Sequence, residues 1–332
     1  MSLIIPLGMS TSMNPMSPVD PEGVVPDALS GERLDRVVAL VWGCSRAEAA
    51  RLIDQEKVEV NGSTAASRSQ RLVPGDQIRL SEEPVMGQPS PGPDPDVELD
   101  VVYVDESVIV VNKPPGLVVH PGSGNAAGTL VNGLLARFPD IAEVGEPQRP
   151  GIVHRLDRGT SGLLMVALTQ GSYDALTAAL GRREVHRGYS ALVVGMPPDD
   201  QGVIDAPVGR STRHPTKMAV TADGRPARTH YQVTARMPAS PEPPQESVPF
   251  DTAHLELQLE TGRTHQIRVH LAAIGHPVLG DDLYGGPGAP DMSRPALHAH
   301  TLVFAHPGTG EQLRFQVDPP EDFSALYRLL CG

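Results

Sequence analysis

Apolar residues recur at helical spacing near the start of the chain. Leu34, Val37 and Val38 form one repeat, and a second repeat runs through Ala49 to Ile53. Alternating apolar residues at 58–60 then meet an Asn-Gly pair, and a further apolar stretch ends at residue 80, a pattern that predicts strand, tight turn and strand. We therefore predict a small α+β unit over residues 27–81.

The segments on either side of this unit lack such periodicity. Residues 1–26 are rich in Met, Ser and Pro, which predicts a disordered tail. Residues 82–97 are acidic and proline-rich, a composition typical of a linker. The larger unit is therefore expected to span residues 98–332.

Strand patterns dominate the larger unit. Apolar runs predict a hairpin near 99–111 and strands near 163–168, 189–194, 228–235, 253–260, 296–305 and 312–317. Helical spacing appears at 129–138, at 170–182, and from Thr264 to the stop at Gly275. Helices do not alternate regularly with strands, so we predict an α+β fold with a mixed, mainly antiparallel sheet. Residues 238–249 are expected to form a proline-rich surface loop.

A charged run interrupts the apolar pattern at residues 154–158. His154, Arg155, Asp157 and Arg158 stand between apolar flanks at 152–153 and 163–166. These charges would need partners inside a core strand, so we predict a loop or strand end held by buried flanks.

The net charge of −13 is unevenly distributed along the chain. Residues 81–107 hold eight acidic and no basic side chains, whereas residues 150–232 hold ten basic and seven acidic ones. Basic surfaces for nucleic acid are therefore compatible with the acidic total. Two cysteines and the lack of an export or membrane signal lead us to expect a cytoplasmic protein.

Several chemistries lack their sequence requirements. The glycine-rich segment 120–125 has neither a Gly-Lys-Ser/Thr nor a dinucleotide fingerprint. Ser161 is not in a Gly-x-Ser-x-Gly elbow, because Leu163 occupies the position of the second glycine. The histidines at 265–306 have no HExxH motif or cysteine partner, so we predict neither a metal nor a cofactor.

Asp157 leaves two interpretations open. An ionised aspartate beside arginines can act as a nucleophile, or it can belong to a structural ion pair. Arg268 lies beside the buried stripe of its predicted helix, where a long cation needs a carboxylate partner.

The small unit resembles the S4-like RNA-binding domain. The resemblance rests on residues 33–35, 45–47 with 52–53, and 58–62. It implies RNA contacts from Arg33, Arg46 and Lys57, whereas the alternative is a small domain whose charges only keep it in solution.

Four blocks in the larger unit resemble the RluA/RluD family of RNA pseudouridine synthases. They are Asn112–Pro121, His154–Gly162, Arg187–Tyr189 and Gly262–His270. The small unit is the one that the RluC-like and RluD-like branches carry, and the overall block layout favours the RluD-like branch. Gly188 departs from the family pattern, in which bulkier residues are common before the tyrosine, so we expect altered loop geometry there.

The resemblance implies a role for each matching residue. Asp157 aligns with the nucleophile, which attacks C1′ of the ribose or C6 of the base. Arg155 aligns with the residue that fills the gap left by the flipped nucleotide, and Tyr189 with the aromatic residue that stacks on the base and assists proton removal. Arg268 aligns with the arginine paired to the aspartate. Further RNA contacts are predicted for His154, Arg158, Thr160, Arg187, Arg263 and His265.

The implied activity is conversion of uridines to pseudouridine in large-subunit (23S) ribosomal RNA, by a monomer without cofactor, metal or membrane partner. Two alternatives stay open at this point. One is an RNA-binding ribosome-assembly factor in which catalysis is incidental. The other is a nucleoside or glycoside hydrolase, which needs a second carboxylate that the sequence does not place beside Asp157.

Overall fold

The computed structural model describes residues 22–44, 46–84, 90–122, 125–214, 216–239 and 248–332. The chain divides into two compact units between Pro89 and Ser90. Most of the predicted loop at 238–249 and residues 1–21 of the predicted tail lie outside the described residues. Of the helices in the described ranges, none combines the length and apolar character that a membrane crossing requires.

The smaller unit packs two helices against a four-stranded antiparallel sheet of order β1-β4-β2-β3. Its elements are β1 (Glu22–Val24), α1 (Leu34–Trp42), α2 (Arg46–Asp54), β2 (Val58–Val60), β3 (Ser63–Thr64) and β4 (Gln77–Leu80). Leu34, Val37 and Leu52 are fully buried, as the helical repeats predict. Asn61 and Gly62 have φ values of 53° and 78°, the left-handed conformations that a tight hairpin turn requires.

The unit boundaries differ in two places from the sequence prediction. Residues 22–24 pair with β4, so the predicted tail 1–26 extends too far, because backbone pairing orders a segment that lacks apolar periodicity. The end of the predicted linker 82–97 is attached to the larger unit. There the N–H of Asp94 donates to the carbonyl of Asn132 at 2.9 Å, and Asn132 Nδ2 donates to the carbonyl of Gly92 at 2.7 Å.

A nine-stranded sheet forms the frame of the larger unit. Its order is β11-β14-β15-β10-β16-β9-β6-β5, and β17 also pairs with β16. Its strands are β5 (Val101–Val104), β6 (Val108–Lys113), β9 (Ser161–Ala167), β10 (His186–Val194), β11 (Gln201–Asp205), β14 (Arg228–Met237), β15 (Thr252–Leu259), β16 (Leu297–Ala305) and β17 (Gln312–Gln316). Two short hairpins stand apart from it, namely β7 (Gly145–Glu146) with β8 (Arg149–Pro150) and β12 (Val208–Arg210) with β13 (Met218–Val220).

One junction in this sheet is parallel, and every other pairing is antiparallel, so the predicted fold class is confirmed. At the parallel junction β16 meets β9 through only two residue pairs, whereas β6 and β9 share six. Gly162 makes the approach possible, because a Cβ there would lie 2.2 Å from the carbonyl oxygen of Ala299.

Among its described residues the larger unit has four α-helices, namely α3 (Leu130–Arg137), α4 (Gln170–Gly181), α5 (Gln266–Ala273) and α6 (Glu321–Cys331), and a 3-10 helix at Pro139–Glu143. Apolar side chains of α3, α5 and α6 share one core cluster with those of β6, β9, β10 and β15. Leu176 of α4 packs in a second cluster with Leu163, Met165 and Phe304. The sequence prediction included α3, α4 and α5, but it missed α6 and the short strands between residues 201 and 220.

Candidate active site

The charged run at residues 154–158 lies in an irregular loop that ends where β9 begins. Ile152 and Leu156 anchor this loop and are only 3% and 4% exposed. The N–H of Thr160 donates to the carbonyl of Asp157 at 3.1 Å, and the N–H of Gly116 donates to the carbonyl of Arg158 at 2.8 Å. The prediction of a loop with buried flanks is confirmed, and Asp157 lies on a well-supported segment.

Arg268 on α5 contacts the carboxylate of Asp157. Its Nη1 donates to Asp157 Oδ2 at 3.0 Å. The other carboxylate oxygen, Oδ1, has His265 Nε2 as a neighbour at 3.9 Å. A partly buried ion pair therefore joins the two chain segments that sequence patterns singled out separately. Arg268 binds Oδ2 of Asp157 and leaves Oδ1 unbound by the guanidinium.

Asp281 is a further member of this group, and the sequence interpretation missed it. Its two oxygens accept hydrogen bonds from Arg268 Nε at 2.6 Å and Nη2 at 2.8 Å. Asp281 is fully buried and Arg268 is 7% exposed, so the guanidinium is held between two carboxylates. The available signal was the number of donors on a buried arginine, because a single carboxylate on Nη1 leaves Nε and Nη2 without acceptors.

Tyr284 was also missed, and it contacts the same group. The Arg268 guanidinium carbon lies 5.0 Å from the centre of the Tyr284 ring. The Tyr284 hydroxyl lies 2.7 Å from His265 Nδ1 and accepts the N–H of Met218 at 3.0 Å. His265 itself precedes α5 in a left-handed conformation, with φ of 56°. Burial lowers the pKa of His265, which favours a neutral ring beside Asp157.

Tyr189 and Arg187 also line the cavity that contains Asp157. Both belong to β10, and residues two apart in a strand face the same side. Tyr189 is 5% exposed, and burial raises the pKa of its phenol, so the ring is neutral at pH 7. Gly188 between them lies inside the strand and not in a loop, and it pairs with Gln258 and Thr301, but the pairing of β10 with β16 shifts register between Gly188 and Ser190.

Thr160 and His154 carry buried polar atoms without partners among the described residues. Thr160 lines the cavity with 2% exposure, and its Oγ1 makes no hydrogen bond within the described chain. His154 Nε2 accepts the N–H of Met165 at 3.0 Å, whereas its Nδ1 is buried and has no partner in the described ranges. Burial lowers the pKa of His154 to about 3, so its ring is neutral.

A groove of about 770 Å³ adjoins the cavity and shares its wall residues Arg155, Arg187 and Arg263. It is lined by seven arginines, Arg149, Arg155, Arg183, Arg187, Arg210, Arg225 and Arg263, and it includes one acidic residue, Glu260. The basic central segment of the sequence therefore forms a basic surface beside Asp157, despite the acidic net charge.

Other predicted RNA-contact residues lie elsewhere. Arg158 is exposed and donates from Nε to the carbonyl of Gly116 at 3.2 Å, outside the cavity. In the smaller unit, both oxygens of Asp35 accept hydrogen bonds from Arg33, at 3.0 and 3.1 Å. Lys57 is partly buried just before β2. The side chain of Arg46 lies outside the described residues, although its backbone begins α2.

Lys113 contacts the loop that carries Asp157, and the sequence analysis did not predict these contacts. It is fully buried, and its Nζ donates to the carbonyls of Pro114, Leu117 and Arg158 at 2.8, 2.9 and 3.3 Å. Burial lowers the pKa of Lys113 to about 7, while three carbonyls satisfy the three hydrogens of its ammonium form. This lysine therefore ties the 114–117 turn to the segment that carries Asp157.

The described residues offer no candidate metal site. Among the described residues, no three His, Cys, Asp or Glu side chains are grouped so that they could hold a metal ion. The chemistry available at the site is that of an anchored carboxylate, a buried aromatic ring and several arginines.

Comparison with known proteins identifies the family. The family model described as RNA pseudouridylate synthase matches residues 107–273, a range that contains Asp157, Tyr189 and Arg268, and an S4 domain model matches residues 32–78. The chain belongs to the RNA pseudouridylate synthase family. It is an RNA pseudouridine synthase, an isomerase, with an S4 domain near its N-terminus.

Relatives in the family match nearly the whole chain. A Bacillus subtilis protein described as an uncharacterized RNA pseudouridine synthase is 42% identical over 303 residues, which cover 89% of this chain and 93% of that protein. A ribosomal large subunit pseudouridine synthase D from Xanthomonas campestris is 42% identical over 323 residues, covering 93% and 92%. The solved structure of human RNA pseudouridylate synthase domain containing 1 is 27% identical, with a TM-score of 0.52, and covers 68% of this chain and 84% of that chain.

Proposed function

We propose that this enzyme isomerises specific uridines of large-subunit ribosomal RNA, with Asp157 as nucleophile on a flipped-out nucleotide. The observation that carries the proposal is the ion pair of Asp157 with Arg268, in a cavity that Tyr189 lines and that joins a basic groove. The pseudouridine synthase D relatives, whose names specify the ribosomal large subunit, support the substrate class.

The reaction breaks the bond between N1 and C1′, turns the uracil and joins C5 to C1′. The proton leaves C5 and one is gained at N1, so atoms balance without a redox partner or second substrate. Asp157 Oδ1 is the attacking atom in our proposal, because Oδ2 is held by Arg268. Attack at C1′ and attack at C6 both use this oxygen.

Tyr189 stacks on the extruded base, and Arg155 occupies the place that the base leaves in the RNA. Base stacking on an aromatic ring contributes about 1–3 kcal/mol, which offsets unstacking of a few kcal/mol. The neutral phenol of Tyr189 suits stacking better than proton removal. Arg155 is exposed at the border of cavity and groove, where it can reach the RNA. Arg158 and the S4 residues Arg33, Arg46 and Lys57 add RNA contacts outside the cavity.

The test is Asp157→Asn, compared with Asp174→Asn as a control on the exposed surface of α4. Pseudouridines in total RNA would be mapped in cells that contain wild type, either variant, or no copy of the gene. We expect Asp157→Asn to lower the rate by at least about 10⁴-fold with RNA binding retained. Retained activity would refute the assignment of Asp157 as the nucleophile. Rescue of a ribosome-assembly defect by Asp157→Asn would instead support an assembly factor with incidental catalysis.

A further inference from the structure

The side chain of Arg187 is largely buried, and its guanidinium has no acceptor within the described chain. Arg187 is 7% exposed, its Nε is buried without a hydrogen bond, and it forms no ion pair with any described carboxylate. Burial lowers its pKa below the ordinary arginine value. Other groove arginines differ, since Arg149 pairs with Glu146 at 2.6 Å and Arg183 with Glu260 at 2.6 Å.

Such a group opposes folding, because a buried charge without a partner retains a desolvation penalty of several kcal/mol. The surrounding chain nevertheless makes room for it. A Cβ on Gly262 would lie 2.7 Å from Arg187 Nη1, so glycine at this position leaves space for the guanidinium. A charge that the fold accommodates without a protein partner is suited to an anionic ligand.

The position of Arg187 limits what that anion is. It lines both the cavity that contains Asp157 and the basic groove, and it faces the same side of β10 as Tyr189. An RNA strand that follows the groove and inserts one base beside Tyr189 brings a backbone phosphate to this boundary. The planar fork of an arginine matches two phosphate oxygens.

We propose that Arg187 binds the phosphate that joins the reacting nucleotide to one neighbour, and that it thereby holds the extruded nucleotide against Asp157. This inference rests on the proposed function and adds a specific contact to it. Arg187 gains its missing acceptors only when RNA is bound, so its interaction favours the extruded state of the nucleotide over the stacked one.

The test removes the charge from one partner of the proposed contact at a time, either the arginine or the phosphate. Wild type and Arg187→Gln are assayed on an RNA oligonucleotide that contains one mapped target uridine, and on two copies with a neutral methylphosphonate at the linkage 5′ or 3′ of it. A charge-assisted hydrogen bond contributes about 1.5–3 kcal/mol, equivalent to roughly 10- to 100-fold in kcat/KM. We expect Arg187→Gln to lose this factor on normal RNA. Wild type should lose it with one of the two methylphosphonates.

The combination of variant and neutral linkage decides the question. On the sensitive methylphosphonate RNA, Arg187→Gln should show no further loss. Independent, multiplying losses at both linkages would overturn the contact. The control is Arg236→Gln on β14, an arginine that pairs with Asp200 at 2.6 Å outside cavity and groove, and it should respond to both methylphosphonates as wild type does. An inactive wild type on normal RNA would instead refute the proposed function, and with it this inference.

Thermal unfolding separates a binding role from a structural one. Removing an unpaired buried charge should leave the Tm of Arg187→Gln equal to or above that of wild type, although activity falls. A lowered Tm together with full activity in the folded fraction would show that Arg187 only supports the fold. Arg187→Lys keeps the charge without the fork and should recover part of the lost kcat/KM.

Discussion

Asp281 offers the sharpest test of how the site is held, and the perturbation is Asp281→Ala. The change removes the acceptors of Arg268 Nε and Nη2, at 2.6 and 2.8 Å, and leaves Asp157 as the remaining carboxylate on the guanidinium. Both members of the pair are buried, at 0% and 7% exposure. Because Arg268 Nε and Nη2 would then be buried without acceptors, and one of the two carboxylates that compensate the charge is lost, we expect a loss of about 3–5 kcal/mol in the free energy of unfolding.

Denaturant unfolding followed by circular dichroism measures this loss. Fluorescence is less suitable, because the single tryptophan, Trp42, lies in the smaller unit. Asp282→Ala is the matched control, since Asp282 is the next residue and its side chain is exposed. We also expect Asp281→Ala to lower kcat by at least about 10-fold under conditions where it remains folded, because Arg268 would then be poorly oriented. The reasoning fails if both variants unfold at the same denaturant concentration as wild type.

Two further changes test the supports of the catalytic loop. Lys113→Met leaves three carbonyls without their donor, so we expect a loss of at least about 2 kcal/mol in unfolding free energy together with reduced pseudouridine formation; wild-type values for both would contradict the role of Lys113 as a tie. His298 is fully buried between the Ser161 hydroxyl, at 3.0 Å from Nδ1, and the carbonyl of Val317, at 3.3 Å from Nε2, and burial lowers its pKa to about 4. The unfolded state therefore binds the proton first as pH falls, so stability from this residue is complete above pH 6.5 and decreases by about 3 kcal/mol toward pH 4. His298→Asn should flatten this decrease in unfolding measurements at pH 7 and pH 4.5, and an unchanged slope would argue against His298 as its source.

The elements that sequence patterns predicted are those with a long apolar repeat. The segment that became β9 contains the uninterrupted apolar run 163–167, and all seven residues of the strand are buried. The strand Gln201–Asp205 was missed because only Ile204 in it is buried, which gives too weak an alternation. Helix α6 was missed although it carries a helical signal, since Phe323 and Leu326 are buried one turn apart.

The sequence predicted those parts of the site in which a single residue by itself needs a partner. A carboxylate for Arg268 follows from the cost of burying a cation, but the sequence does not state how many carboxylates gather around it. Asp281 follows a left-handed Gly280 in an irregular segment, where no periodicity indicates which side chain is buried. Arg33 shows a similar limit, because its ion pair with Asp35, two residues away, was not predicted from the sequence.

The two-pair junction of β16 with β9 depends on a strand that comes late in the chain. Asp157 precedes β9 on one side of this junction, whereas Tyr189 belongs to β10 on the other. β16 lies between these strands, and its residues follow Asp157, Tyr189, Arg268 and Asp281 in the chain. A nascent chain that ends before residue 297 therefore already contains each of these side chains but lacks the strand that brings the two sides together. We therefore expect activity to begin only once that late segment has been synthesised and has inserted into the sheet, and we expect a chain truncated before residue 297 to form no pseudouridine.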